Sequence, residues 1–250
     1  MILGQTTTGT DSIAVRPFSI PLSNVPAARP SVSVPCAKFP RMTLNFDVHP
    51  NPRPRSVEQR NAILADPGFG TRFTAHMAVA TWTTADGWHD SAVVPYAPFQ
   101  LDPAAAILHY AQGVFEGLKA YRHPDGSIWL FRPERNAERF QSSARRLGLP
   151  ELATDDFLGS IHALVRADRD WVPHPEGGEA SLYLRPFMFA SEAFLGVRAA
   201  HHVTYSLIAS PAGAYFASGV QPVSIWVTKR YSRAGAGGTG AAKCGGNYAS

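Results

Sequence analysis

Cysteine is nearly absent from this chain: Cys36 and Cys244 are the only two in 250 residues, and they lie far apart. That excludes a disulfide-stapled scaffold and suits a reducing, cytoplasmic compartment. Long apolar runs are missing as well. Nothing approaches the ~20 residues that a membrane-crossing helix needs, so no membrane partner is expected. Charged residues are sparse at 17%, and the net +4 comes from scattered arginines rather than a basic run, which argues against nucleic acid as a partner. Acidic side chains are almost missing from residues 1–41, where Asp11 stands alone among Ser, Thr and Pro. This stretch has no continuous apolar core of the kind a secretory signal carries. It reads as a disordered extension. Its Arg/Ser-rich, acid-poor composition leaves an organellar transit peptide as the alternative, and Met42 is an alternative start.

The whole chain is 45% apolar, enough for a substantial core in one large domain or two small ones. From about Phe69, strand-like and helix-like segments alternate. Phe73–Trp82 and Ala92–Tyr96 have the β-branched, alternating character of strands. Lys119–Tyr121 and Ile128–Phe131 flank the turn sequence His123-Pro-Asp-Gly126 and predict a hairpin. Pro133 suits the first turn of a helix whose apolar positions are Ala137, Phe140, Ala144 and Leu147. Thr154 is positioned to cap a second helix. Asp155 and Asp156 favour its positive end, and Phe157, Ile161, Leu164 and Val165 form its apolar face. After Gly177-Gly178, strands are expected at Ser181–Phe189, Val203–Ile208 and Val223–Thr228, with Pro211–Phe216 as a connection between two units. Mixed elements without a regular βαβ repeat point to the α+β class.

The segment richest in chemistry is Gly237-Gly-Thr-Gly-Ala-Ala-Lys243-Cys-Gly-Gly-Asn-Tyr248. Glycine and alanine let backbone press against a flat ligand, and a lysine held there loses water. Such an amine can form a Schiff base with an aldehyde cofactor. By composition alone, a flexible Gly-rich loop with an ordinary charge accounts for the same letters. Two nucleotide motifs fit worse. Gly235–Gly240 matches G-x-G-x-x-G, but no strand directly precedes it and no acidic residue follows. A P-loop fails because Ala242 and Cys244 flank Lys243, where Gly and Ser or Thr are required.

Six segments, in order, resemble the branched-chain-amino-acid aminotransferases, which are fold-type-IV pyridoxal-phosphate enzymes. They are Phe69–Met77, His109–Tyr121, Phe131–Arg139, Leu182–Pro186, Pro211–Phe216 and Gly237–Tyr248. The resemblance implies an α+β fold. Residues 42–213 would form the small domain, 214–222 an interdomain connection, and 223–250 the start of the larger cofactor-binding domain. It also implies a homodimer and pyridoxal 5'-phosphate as cofactor, with branched-chain amino acids, glutamate and their 2-oxo acids as substrates.

Carried over residue by residue, Lys243 looks like the Schiff-base lysine and general acid/base. Tyr248 looks like the partner of the cofactor's phenolate oxygen. Arg139 looks like the phosphate ligand, since a guanidinium fork fits phosphate bidentately. Arg132, Arg135, Arg145 and Arg146 compete nearby, and only the family pattern singles out Arg139. Phe69, Tyr110, Phe115, Tyr183 and Tyr215 match the family's hydrophobic side-chain pocket. Arg185 matches the arginine that receives glutamate's second carboxylate. No metal site is expected.

Family members continue well beyond Ser250, through the region that supplies the acid facing the pyridine nitrogen. The expectation is therefore a C-terminally truncated aminotransferase that binds its cofactor weakly by itself. The rivals are a D-amino-acid transaminase or aminodeoxychorismate lyase of the same fold type, and a non-catalytic fragment.

Overall fold

A computed structural model describes residues 44–174, 180–213 and 222–249. The expected extension (1–41), Met42, Cys36, Gly177-Gly178, Tyr215 and nearly all of the expected connection (214–222) lie outside the described residues. Met42–Ser250 forms one compact unit.

The described elements are β1 (Asp47–Val48), α1 (Val57–Ala65), β2 (His76–Thr83), β3 (Gly87–Pro95), α2 (Ala106–Tyr110), β4 (Gly113–Phe115), β5 (Leu118–Arg122), β6 (Ile128–Leu130), α3 (Pro133–Arg146), α4 (Thr154–Ala167), β7 (Ser181–Ala190) and β8 (His202–Ala212). Single 3-10 turns occupy Arg169–Trp171 and Gly245–Tyr248. The class is α+β. One sheet runs β1-β3-β2-β8-β7-β5-β6, with β4 also paired to β7. Every strand pair is antiparallel except β1 with β3.

The central strands show why a period of two matters here. In β7, Leu182, Leu184, Pro186 and Met188 are buried, while Tyr183, Arg185 and Phe187 are partly exposed on the other face. Alternate side chains of a strand point to opposite faces, so this pattern hands the core one row and the site the other. Helices α3 and α4 pack on each other, and α4 lies against β2, β3 and β8. Their apolar stripes include Phe140, Phe157, Ile161 and Leu164, all almost completely buried, as is Tyr205. Phe140 lies 5.4 Å from Phe157 and 6.0 Å from Tyr205 by ring centroid. The Tyr205 hydroxyl is hydrogen-bonded to Ser160 Oγ at 2.8 Å. Burial pushes its pKa well above the ordinary tyrosine range.

Several expectations needed correction. Val223–Thr228 is not a strand: among the described residues it pairs with nothing, and Val223, Ile225, Trp226 and Val227 stand exposed. β-branched letters favour a strand only where a neighbouring strand can take their hydrogen bonds and side chains. Thr154 is not a cap. It is the first helical residue of α4, and the N-cap is Ala153, which makes no side-chain cap bond. The connection expected from Pro211 starts later, because Pro211 and Ala212 still pair with Leu182 and Ser181 at the end of β8. The strand expected at Phe73–Trp82 is β2, which opens at His76 rather than Phe73.

Candidate active site

Lys243 is placed by backbone on one side and a helix on the other. Strand β4 makes an isolated bridge between Val114 and Cys244, and Phe115 N donates to Lys243 O at 3.0 Å. From α3, the buried Ser143 accepts a hydrogen bond at Oγ from Lys243 N, 2.9 Å. One turn on, Arg146 donates to the carbonyl oxygens of Gly237 and Gly238. Gly237 has φ +73°, a left-handed conformation that other residues rarely adopt, so the glycine run has a conformational reason at that point. Asn247 closes the loop from inside. Its buried amide donates to Thr239 O and Ala242 O, and its Oδ1 accepts from Thr239 Oγ1. The segment is therefore an ordered loop that presents one side chain.

The Lys243 amine donates to the Tyr248 hydroxyl at 2.8 Å. It also lies 4.4 Å from the Phe115 ring centroid and 4.9 Å from that of Tyr248, which are favourable cation–π distances. Lys243 is half-buried rather than enclosed, so the dry glycine–alanine setting expected from the sequence is only partly realised. Aromatic faces, not small residues, surround the amine.

Next to it stands an aromatic and cationic cluster. Arg185 donates to the Tyr183 hydroxyl at 2.8 Å and lies over the rings of Phe115 (4.7 Å) and Tyr183 (5.3 Å). Phe69 meets Tyr183 edge-on at 5.2 Å. Phe69, Tyr183 and Arg185 line a hollow of about 220 Å³ with Phe73, Ile208 and Ser210. On the other side, Arg185 and Phe115 border an apolar groove of about 630 Å³. Gly117 sets the distance between backbone and Tyr183: a Cβ at this position would lie 2.2 Å from the Tyr183 hydroxyl oxygen. Tyr110 is elsewhere. It is exposed at the end of α2 and lines a separate hollow of about 510 Å³ with Thr239, Cys244 and Gly246.

Arg139 extends from α3 into an ion pair with Glu116. Its Nε donates to Oε1 at 2.6 Å and its Nη2 to Oε2 at 2.8 Å. The carboxylate is fully buried, whereas the arginine side chain is 56% exposed. Arg139 is held above the ordinary arginine value, chiefly by the hydrogen bond to Glu116.

Sequence reasoning missed Glu116 and Ser143, and weighed Arg146 only as a rival to Arg139, not as a support of the glycine loop. A signal for the first was present: one acidic residue within Val114-Phe115-Glu116-Gly117-Leu118, where a charge can be buried only if paired. For the other two, positions 139, 143 and 146 follow the i, i+4, i+7 spacing of one helix face. Among the described residues, no group of three or more His, Cys, Asp or Glu could hold a metal ion, and no helix is long and apolar enough to cross a membrane.

No protein-family model matches the chain. Individual relatives do. A probable branched-chain-amino-acid aminotransferase of Streptomyces coelicolor is 58% identical over 207 residues, which is 83% of this chain and 57% of the relative. The chain belongs to the branched-chain-amino-acid aminotransferase family. Aminotransferases of that name from Mycobacterium tuberculosis (55% identical, 83% of this chain, 56% of the relative) and Bacillus subtilis (44%, 84% and 54%) agree. The chain thus spans somewhat over half the length of the curated relatives it matches. The solved branched-chain aminotransferase of Escherichia coli overlaps 68% of this chain and 53% of its own, at 23% identity and a TM-score of 0.48.

Proposed function

We propose that this chain carries the reactive lysine of an enzyme that moves an amino group between L-leucine, L-isoleucine or L-valine and 2-oxoglutarate, with pyridoxal 5'-phosphate as cofactor. The observation that carries the reading is the Lys243 amine in hydrogen-bond contact with the Tyr248 hydroxyl, next to the Phe115–Arg185–Tyr183 cluster. The donor set suits the cofactor: an amine for its aldehyde, a phenol for its ring oxygen and a half-exposed guanidinium for its phosphate. When bound, the cofactor supplies an electron sink for breaking the substrate's Cα–H bond. Lys243 would hold it and, once displaced, would take the proton from the substrate's Cα and deliver it to the carbon that carried the cofactor's aldehyde, the shift that moving an amino group requires. Tyr248 holds the amine in place through its hydroxyl. Arg139 presents donors to the phosphate, in a hollow of about 210 Å³ that also has Asn136, Arg132 and Arg135 in its wall.

Phe69, Phe115 and Tyr183 serve as the apolar wall for the substrate side chain, with Arg185 at its edge for the second carboxylate of glutamate; Tyr110, which lines a separate hollow, is not joined to that wall, and Tyr215 is assigned to it by the family resemblance alone. On the same reading the enzyme acts as a cytoplasmic homodimer. Residues 42–213 form its small domain, and residues 223–250 open the larger one. The exposed side chains of Ile225 and Trp226 support burial against further protein.

The test is a substrate panel. With the C-terminal region of a relative appended, single-turnover half-reactions should proceed with leucine, isoleucine, valine and glutamate, and poorly with aspartate or D-alanine. A faster half-reaction with D-alanine than with L-leucine would transfer the chain to a D-amino-acid activity. A second prediction concerns the phosphate. Losing a charged hydrogen bond of this kind costs ~1.5–3 kcal/mol, so Arg139→Ala should weaken cofactor affinity by about one to two orders of magnitude. An unchanged dissociation constant would remove Arg139 from the site.

A further inference from the structure

We propose that Glu116 is a positioning residue for Arg139, a buried carboxylate that fixes the plane of the guanidinium so that its outer edge meets a phosphate. The inference rests on the assignment of Arg139 to the phosphate. Glu116 lies in the two-residue link between β4 and β5, where its own N–H donates to Pro186 O at 2.7 Å. A carboxylate with no solvent exposure needs partners for both oxygens. Here Oε1 accepts from Arg139 Nε at 2.6 Å, and Oε2 accepts from Arg139 Nη2 (2.8 Å), Asn136 Nδ2 (2.8 Å) and Gly117 N (3.1 Å).

The arginine is engaged along its Nε–Nη2 side only. Its Nη1 and the second Nη2 hydrogen are not used by Glu116, and the side chain is 56% exposed. A guanidinium has five donors in a rigid fork, so fixing one edge fixes the direction of the other. Asn136 comes from the same helix as Arg139, one turn earlier, and braces the carboxylate from the same side. The Gly117 amide ties the carboxylate to the backbone that faces Tyr183. The phosphate end and the substrate end of the site thus share one anchor.

Charge alone predicts the opposite of positioning, and that makes the proposal decidable. A carboxylate near a phosphate repels it. If Glu116 acted only through its charge, Glu116→Gln would tighten phosphate binding. If it acts by orienting Arg139, the same change weakens binding despite the lost repulsion.

The probes are pyridoxal 5'-phosphate and pyridoxal, which differ only in the phosphate. Each is trapped on the purified chain with borohydride, and the half-saturating concentration for labelling at Lys243 is read by peptide mass spectrometry. The ratio of the two concentrations isolates the phosphate contribution, and general loosening of the fold moves both probes together. Glu116→Gln is expected to lower the advantage of the phosphate-bearing probe by about tenfold. Glu116→Asp, which keeps the charge on a shorter arm, should fall between it and the wild type. In an Arg139→Ala background, Glu116→Gln should cause no further loss. Should Glu116→Gln fail to fold, Glu116→Asp is read against the same Arg139→Ala background. An unchanged or increased advantage in the Glu116 variants, while Arg139→Ala lowers it, would overturn the proposal and leave Arg139 in its role. No effect of Arg139→Ala would remove that role and the proposal with it.

Discussion

Lys243→Ala is expected to abolish covalent pyridoxyl labelling at this position and to slow the half-reaction with L-leucine by at least ~10²–10⁴-fold, the usual loss when a general acid/base is removed. Among the described residues, no other lysine amine is hydrogen-bonded to Tyr248 or lies over the Phe115 ring. The Lys243 amine is set by the Tyr248 hydroxyl, two aromatic faces, Ser143 and the Asn247-braced loop, all of which would stay in place in the variant. Lys119 sits on β5 opposite Tyr183, and Lys229 follows the exposed segment 223–228. Borohydride reduction followed by peptide mapping distinguishes them. A wild-type label on Lys119 or Lys229 would overturn the assignment.

The second large effect is on stability. Phe140→Ala should destabilise the fold by about 3–5 kcal/mol, as expected for emptying a well-packed aromatic site. Phe140 is 1% exposed and joins α3 to α4 through Phe157 and to the sheet through Tyr205. The residue just before it on α3 is Arg139, with Ser143 one turn beyond Arg139. Loss of the core contact therefore loosens the helix that carries both Arg139 and the Ser143 contact to the Lys243 backbone. Urea unfolding followed by tryptophan fluorescence measures this directly. A shift of less than about 1 kcal/mol would mean that the three rings are not the joint between helices and sheet.

Elements with strong periodicity were legible in the sequence. Helices α3 and α4 carry apolar residues at helical spacing on one face, and β7 alternates along nearly its whole length. Helix α1 buries none of its residues, so it has no apolar period to read. Its mark is a capping box, in which Ser56 and Gln59 exchange backbone and side-chain bonds. Helix α2 has only five residues, too few for a pattern. Val223–Thr228 shows the converse. Its letters favour a strand, yet propensity without a neighbour leaves an irregular segment.

The site divides in the same way. Lys243 and Tyr248 are five residues apart, and the sequence places them together. Arg139 meets Glu116 across 23 positions, Ser143 meets Lys243 across 100, and Arg146 meets Gly238 across 92. No local rule connects residues at such separations. Only folding α3 against the glycine loop creates those contacts.

Gly117 couples two properties of the pocket that could otherwise vary independently. Its missing side chain leaves room for the Tyr183 hydroxyl, and that hydroxyl accepts the hydrogen bond from Arg185. Any larger residue at 117 would displace the phenol and release the guanidinium with it. On the proposed substrate assignment, room for an aliphatic side chain and affinity for a dicarboxylate would then shift together, so a change at this one position would disturb both preferences at once.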